Sequence, residues 1–369
     1  MKYYIISGEA SGDLHGSNLI RGITSKDPDA QFRGWGGDQM EEAGATLVKH
    51  IRETAFMGFL EVLLNLRTIA RNIRMCKEDI EKFQPDALIF IDYSGFNLRI
   101  AQWAKPQGFK THYYISPQLW ASRANRIEKI KKYIDHMYVI LPFERAFYAS
   151  HGYDVNYVGH PLLDAIQRMK PASKEDFQTS HDLVAHKEII ALLPGSRKQE
   201  IKKVLPVMLS AANSFPDYQF VIAGAPNIDA EYYQSFISIT PASIIQNDTY
   251  SLLTHAHAAL VTSGTATLET ALFKVPQVVC YKGSWFSYQI AKRLITLDYI
   301  SLVNLIMDKE IVKELIQKDL TSQNIQVELK KILSGTEREL QKTAYNLLEQ
   351  RLGSSGASER AAGLIVENS

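Results

Sequence analysis

The sequence predicts an α/β protein of two tandem parallel sheets, each covered by helices on both faces, with further helices at the C-terminal end. Three observations lead there. Short β-rich runs alternate with glycine or polar loops and helical patterns. The alternation restarts after a polar stretch at 170–187. The length, 369 residues, suits about two domains of ~150 residues, each with its own core.

Each element follows from local pattern. Tyr3 to Ser7 reads as a strand, Gly8 to Gly12 as a loop, and a helix starts near Leu14. Ala87 to Ile91 is a strand that ends at Asp92, with a helix from about Asn97. Thr111 to Ile115 is a strand before Ser116-Pro117, followed by a basic helix near Arg123 to Tyr133. Met137 to Leu141 is a strand before Pro142 and a helix to about Ser150. In the second half, Glu188 to Leu193, Gln219 to Ala223, Ala258 to Thr262 and Gln277 to Tyr281 read as strands. Pro194-Gly195-Ser196-Arg197 and Ser263-Gly264-Thr265 lie between a strand and a helix. The C-terminal stretch is helical with a break at Gly353 to Gly356. The expected division is 1–165 and 188–335, two Rossmann-like domains, then helices at 336–369 that pack back on the N-terminal domain or are exchanged in a dimer. Ligand loops belong at the C-terminal ends of the strands, and two such domains imply a cleft between them.

Composition narrows the function. Hydrophobic residues make up 46%, and 41 Lys and Arg balance 40 Asp and Glu to a net charge of +1. No global field points to nucleic acid. The two cysteines, Cys76 and Cys280, form no disulfide scaffold or zinc pattern and fit a reducing compartment. The first residues do not read as a signal peptide, and no run reaches the ~18 apolar residues of a spanning helix. A cytoplasmic location is expected.

Several loops have the residues for chemistry. Gly8-Glu9-Ala10-Ser11-Gly12-Asp13 follows a strand and opens a helix, an arrangement that favours anions. It lacks the spacing of a dinucleotide or P-loop site, and a tight turn with Asp13 as a helix cap explains it equally. Arg197 can grip a phosphate with parallel donors, or simply pair with Glu200. Ser263, Gly264 and Thr265 offer amides and hydroxyls to a diphosphate, while Glu269, one turn on, can accept the hydroxyls of a ribose. Asp92, at a strand end, suits a general base or a turn. Asp27-Pro28-Asp29 reads as a turn rather than a metal site. His15 and His160 read as structural. Ala55 to Leu66, followed by Arg67, Arg71 and Arg74, is either a core helix or one that meets an anionic lipid surface. The basic helix with Arg123, Arg126, Lys129, Lys131 and Lys132 adds to that field or is a solvated face.

Taken together, six motifs resemble the lipid-A-disaccharide synthase family. They are Gly-Glu-Ala-Ser-Gly-Asp at 8–13, Ser-Pro-Gln-Leu-Trp-Ala at 116–121, Val-Gly-His-Pro at 158–161, Leu-Leu-Pro-Gly-Ser-Arg at 192–197, Ser-Gly-Thr-Ala-Thr-Leu-Glu at 263–269 and Asn-Leu-Ile at 304–306. They stand in the family's order and span most of the chain. The resemblance implies an inverting glycosyltransferase of GT-B architecture. Its donor would be UDP-2,3-diacylglucosamine and its acceptor 2,3-diacylglucosamine 1-phosphate (lipid X), giving the β-1,6-linked disaccharide 1-phosphate and UDP. It implies no cofactor or required metal, work at the inner leaflet as a peripheral protein, and a possible homodimer through exchanged C-terminal segments.

The roles that follow are Asp92 as base and Arg197 as charge stabiliser. Ser196, Arg197, Ser263, Gly264, Thr265, Glu269 and Asn304 would hold the donor. Gly8, Glu9, Ser11 and Asp13 would line the acceptor side, and Phe59, Leu63, Leu64 and Arg67 would meet the membrane. Two positions depart from the family pattern. Gly95 replaces a second acid in Ile91-Asp92-Tyr93-Ser94-Gly95-Phe96-Asn97, and Ser122 replaces a tryptophan. A UDP-sugar 2-epimerase of the same architecture is the alternative reading, and a regulatory nucleotide-binding module without chemistry is a third.

Overall fold

The computed structural model describes residues 1–53, 66–122, 126–237, 242–283 and 298–369. The chain divides into two compact units, Met1–Asp164 with Ser354–Ser369, and Ala165–Gly353.

In the first unit the strands are β1 (Lys2–Ile6), β2 (Gln31–Gly36), β3 (Ala45–His50), β4 (Ala87–Ile91), β5 (Lys110–Tyr114), β6 (His136–Val139) and β7 (Asn156–Tyr157). Their order is β3-β2-β1-β4-β5-β6-β7, parallel throughout. Such a sheet needs cover on both faces, so its central strands are apolar without alternation. Tyr3–Ile6 and Ala87–Ile91 are fully buried. Tyr4, Ile6, Leu88 and Phe90 pack with Cys76, Ile80, Ile100 and Ile130. Tyr3, Ile5, Ile89 and Ile91 pack with Leu19, Ile20 and Ile23 and with Ala361, Ala362 and Ile365.

That last group comes from the C-terminal helix Ala357–Asn368, which returns to the first unit. It crosses helix Ala10–Thr24 closely enough that a Cβ on Gly22 would sit 2.9 Å from the Ala362 Cβ. The Asp164 carboxylate caps it by accepting from the amides of Gly356, Ala357 and Ser358. Arg360 Nε donates to the Val158 carbonyl at 2.9 Å. Val158-Gly159-His160-Pro161 therefore shapes the seat of this helix, with His160 buried inside it.

The second unit contains β8 (Glu188–Leu193), β9 (Tyr218–Gly224), β10 (Ala242–Gln246), β11 (Ala256–Thr262), β12 (Gln277–Tyr281) and β13 (Lys313–Ile316). Their order is β10-β9-β8-β11-β12-β13, again parallel. Ile190 and Leu192 pack with Ile201, Leu205, Met208 and Leu329 on one face. Ile189, Ala191 and Leu193 pack with Phe177, Leu252 and Leu253 on the other. Helix Thr336–Leu352 belongs to this unit, where the Gln341 side chain accepts from the Gln277 amide at 2.9 Å.

Part of the polar stretch 170–187 packs into the second unit. Ser173 caps a helix at Lys174–Ser180, and Phe177 and Leu183 enter the core of the second unit.

Candidate active site

Each sheet reverses its strand order beside its first strand, and at such a switch point the loops splay apart and leave a crevice. In the first unit the reversal falls between β1 and β4, whose following loops carry Gly8 and Asp92. In the second it falls between β8 and β11, whose loops carry Arg197 and Ser263.

In the first unit Gly8 is buried beneath the ring of Tyr93, while Glu9 and Ser11 are exposed at the start of helix Ala10–Thr24. Asp92 (φ +43°) and Tyr93 (φ +45°) are both left-handed. Two consecutive residues there store strain of a kind that collects at functional sites. The Asp92 carbonyl is held by Asn97 Nδ2 at 2.8 Å and by the Tyr113 hydroxyl. Asp92 as a residue is exposed, at the surface of this loop. Surrounding protein, and secondarily the Glu9 carboxylate, push its pKa up from 3.8 to about 6. A carboxylate so raised is a stronger base than a solvated one and remains ionised at neutral pH.

Asp13, expected on the acceptor side or as a helix cap, holds backbone amides. It is buried, and it accepts from the amides of Gly37 at 2.7 Å, Gln39 at 3.1 Å and Met40 at 3.0 Å. It therefore caps the helix Asp38–Glu42 that follows β2, with both carboxylate oxygens engaged by backbone amides.

Beside this loop, Ile115, the residue after β5, stands at φ +63°, an outlier for a β-branched residue. The next residue, Ser116, donates its hydroxyl to Glu144 at 2.7 Å. Glu144 is buried and also accepts from the amides of Ile140 and Leu141. Burial pushes its pKa up to about 7 against those hydrogen bonds. Tyr93, Asn97 and Glu144 are not singled out by sequence pattern. Only the residue types around Asp92 hint at the first two, and Glu144 looks like any first-turn acid.

In the second unit the loops after β8 and β11 line a pocket of about 420 Å³. Its walls include Gly195, Ser196, Arg197, Ser263, Gly264, Thr265 and Glu269. Gly195 (φ +106°) turns the chain so that helix Lys198–Ser210 starts here, with Arg197 as its N-terminal flank. Gly264 (φ +147°) does the same for helix Thr265–Leu272. Two helix N-termini and a guanidinium thus converge on one space, a setting that favours an anion. Arg197 is 60% exposed and touches Glu200 only at 3.5 Å, so it is free to turn to a ligand. Glu269 lies deeper; burial raises its pKa, opposed by a hydrogen bond from the Tyr250 hydroxyl at 3.1 Å.

Ser263 turns its hydroxyl away, to the Ile300 carbonyl at 2.8 Å, which leaves its backbone for a ligand. Asn304, expected to hold the donor, is likewise engaged by its neighbours. It is fully buried; its amide nitrogen donates to Val312 O and Glu314 Oε1, both at 2.9 Å. Its oxygen accepts from the amides of Ile311 at 2.7 Å and Val312 at 3.0 Å. Asn304 braces the segment before β13 and does not line the pocket. Glu314 also holds the amides of Ile300 and Ser301, so the brace reaches Ser263.

Of the residues expected to meet a membrane, Phe59, Leu63 and Leu64 lie outside the described residues. Arg67 is exposed at the start of helix Leu66–Phe83. No helix among the described residues is long and apolar enough to cross a membrane.

Comparisons with known proteins agree with this layout. The family model for lipid-A-disaccharide synthetase matches residues 3–366. Lipid-A-disaccharide synthases of Trichlorobacter lovleyi and Syntrophus aciditrophicus are 37% and 40% identical, over 98% of this chain and 96% of theirs. That of Coxiella burnetii is 40% identical over 89% of this chain and 88% of its own. Among solved structures, the UDP-GlcNAc 2-epimerase of Neisseria meningitidis superposes with a TM-score of 0.72 at 15% identity, covering all of both chains. The calicheamicin glycosyltransferase CalG4 gives 0.62 at 15% identity, over 100% of this chain and 98% of its own. At such identities the likeness concerns the fold, which is of the GT-B type.

Proposed function

Because the chain belongs to the lipid-A-disaccharide synthase family, and is thus a glycosyltransferase of lipid A biosynthesis, we propose that it joins UDP-2,3-diacylglucosamine to lipid X with inversion. The observation that carries this reading is the pocket of the second unit, where Arg197, two helix N-termini and a partly buried carboxylate meet.

In this reading the donor's diphosphate lies against Arg197, Ser196 and the backbone of Ser263–Thr265, and Glu269 accepts the ribose hydroxyls. Asp92 takes the proton of the acceptor's 6-hydroxyl as that oxygen bonds to the anomeric carbon. The bond from that carbon to UDP breaks in the same step, and its electron pair leaves on the β-phosphate oxygen. Preorganised donors stabilise that growing charge without reorganisation, each worth on the order of 10²-fold in rate. Gly8, Glu9 and Ser11 border the acceptor side, since they adjoin Asp92. Exclusion of water then protects the donor from hydrolysis.

The test is a two-substrate assay. With both lipids, UDP appears together with a β-1,6-linked disaccharide 1-phosphate. UDP release without lipid X, or epimerisation of the donor at C2 instead, overturns the proposal. The structural likeness to epimerases supports the shared fold and no more.

We also place the protein on the cytoplasmic face of the inner membrane, held through the segment with Phe59, Leu63 and Leu64 and the arginines that follow. An apolar sequence flanked by cations suits such a surface. Replacing those three residues with serine should free the protein from anionic vesicles while it stays folded. Loss of folding would instead assign the segment to the core.

A further inference from the structure

We infer that Tyr250 is a positioning residue for the nucleotide, holding the Glu269 carboxylate in the orientation that reads a vicinal diol. The inference rests on the proposed donor site and deepens it. Tyr250 follows Thr249, a residue of the pocket wall, in the first turn of helix Thr249–His255. Its hydroxyl donates to Glu269 Oε1 at 3.1 Å. Its ring rests against Phe273, centroids 5.3 Å apart, at the end of the helix that carries Glu269. The phenol is therefore fixed by packing before it meets the carboxylate.

The geometry sorts the two carboxylate oxygens. Oε1 already accepts one hydrogen bond, and an ionised carboxylate oxygen has room for two. Oε2 has no hydrogen-bond partner among the described residues. Each oxygen can thus take one hydroxyl of a ribose, as long as the group neither rotates nor protonates. A hydrogen bond to the charged form works against both, and bonds to charged groups are among the stronger ones. Removal of the hydroxyl leaves a carboxylate free to turn in a partly dry site.

The experiment measures binding of UDP and of 2′,3′-dideoxy-UDP to the full chain by titration calorimetry. The parent should prefer UDP by about tenfold or more. Tyr250→Phe keeps the ring against Phe273 and removes only the hydroxyl. It should fall to about threefold preference or less, through weaker binding of UDP and unchanged binding of the dideoxy ligand, with a parent-like circular dichroism spectrum showing that the fold is retained. Glu269→Ala should show no preference. If Tyr250→Phe keeps the parent's preference while Glu269→Ala loses it, the positioning role is overturned and the ribose reading stands. The positioning role also falls if only Tyr250→Leu has an effect, since that marks packing alone. If the parent shows no preference, both readings fall.

Discussion

The ring of Tyr93 lies directly on the backbone of Gly8: a Cβ built on Gly8 would sit 2.3 Å from Tyr93 Cγ. This contact joins the loop after β1 to the loop after β4, and the neighbour of Tyr93 is Asp92. Gly8→Ala must drive the ring away, and both residues that would absorb the shift are already at positive φ. Overpacking of this kind costs about 1–3 kcal/mol. The expected result is a folded enzyme with kcat lowered at least about tenfold, because a small misplacement of a base is expensive in rate. UDP affinity, which the proposed function assigns to the pocket of the other unit, should hold. Steady-state kinetics beside calorimetry with UDP checks both halves.

Asp92 links activity and stability with opposite signs. If it is the base, kcat/KM should rise with pH through a midpoint near 6, where its carboxyl group ionises. In the unfolded chain the group has its ordinary value of 3.8, so the folded protein binds the proton more tightly. Stability from this group is complete below pH 4 and is lost as pH rises through about 6. Asp92→Asn should abolish turnover yet melt at a higher temperature than the parent at pH 7.5, with the difference closing near pH 4. Asparagine also tolerates the left-handed backbone well. A parent-like rate in the variant removes Asp92 as base.

Arg197 and Asn304 separate the proposed binding role from a bracing one. Arg197 is largely exposed and weakly paired, so Arg197→Ala should leave stability within about 1 kcal/mol of the parent. Its turnover should fall on the order of 10²-fold. Asn304→Ala strips partners from the half-buried Ile311 amide, the buried Val312 amide and Glu314. Unsatisfied groups of that kind cost about 1–3 kcal/mol each. Denaturant unfolding should show a loss of roughly 2–5 kcal/mol, larger than any change in UDP affinity in the fraction that stays folded.

Residue pattern alone shows the central strands of both sheets, because buried parallel strands are apolar without interruption. Ala87–Ile91, Glu188–Leu193 and Gln277–Tyr281 match their expected bounds. The strands that pattern misses are flanking ones. β2 carries Gly34 and Gly36, which look like turn residues. Yet Gly34 is needed because a Cβ there would meet the Ile5 carbonyl at 1.9 Å. β3 is largely half-exposed, and β7 has only two residues. In the site, loops between a strand and a helix were legible from glycine and small polar residues. Side-chain direction was not, since Asp13 and Asn304 sit in motifs and are occupied by amides distant in the chain or beyond the next turn. Tertiary partners decide such roles, and local sequence does not name them.

Position 95 offers a gain rather than a loss. The family pattern has an aspartate where this chain has Gly95, and nothing lies within 4 Å of a Cβ placed there. Gly95 is the second residue of helix Ser94–Ala104. Gly95→Asp removes freedom from the unfolded chain, which adds about 0.4–1 kcal/mol. A carboxylate in the first turn adds about 0.3–1 kcal/mol through the helix dipole. The variant should therefore melt at a higher temperature. The new negative charge also stands three residues from Asp92, where it disfavours ionisation as Glu9 already does. The midpoint of the pH–rate profile should then move above 6, and raising the salt concentration should pull it part of the way back. A raised melting temperature with an unmoved midpoint would mean that the carboxyl group titrating in the profile is not Asp92.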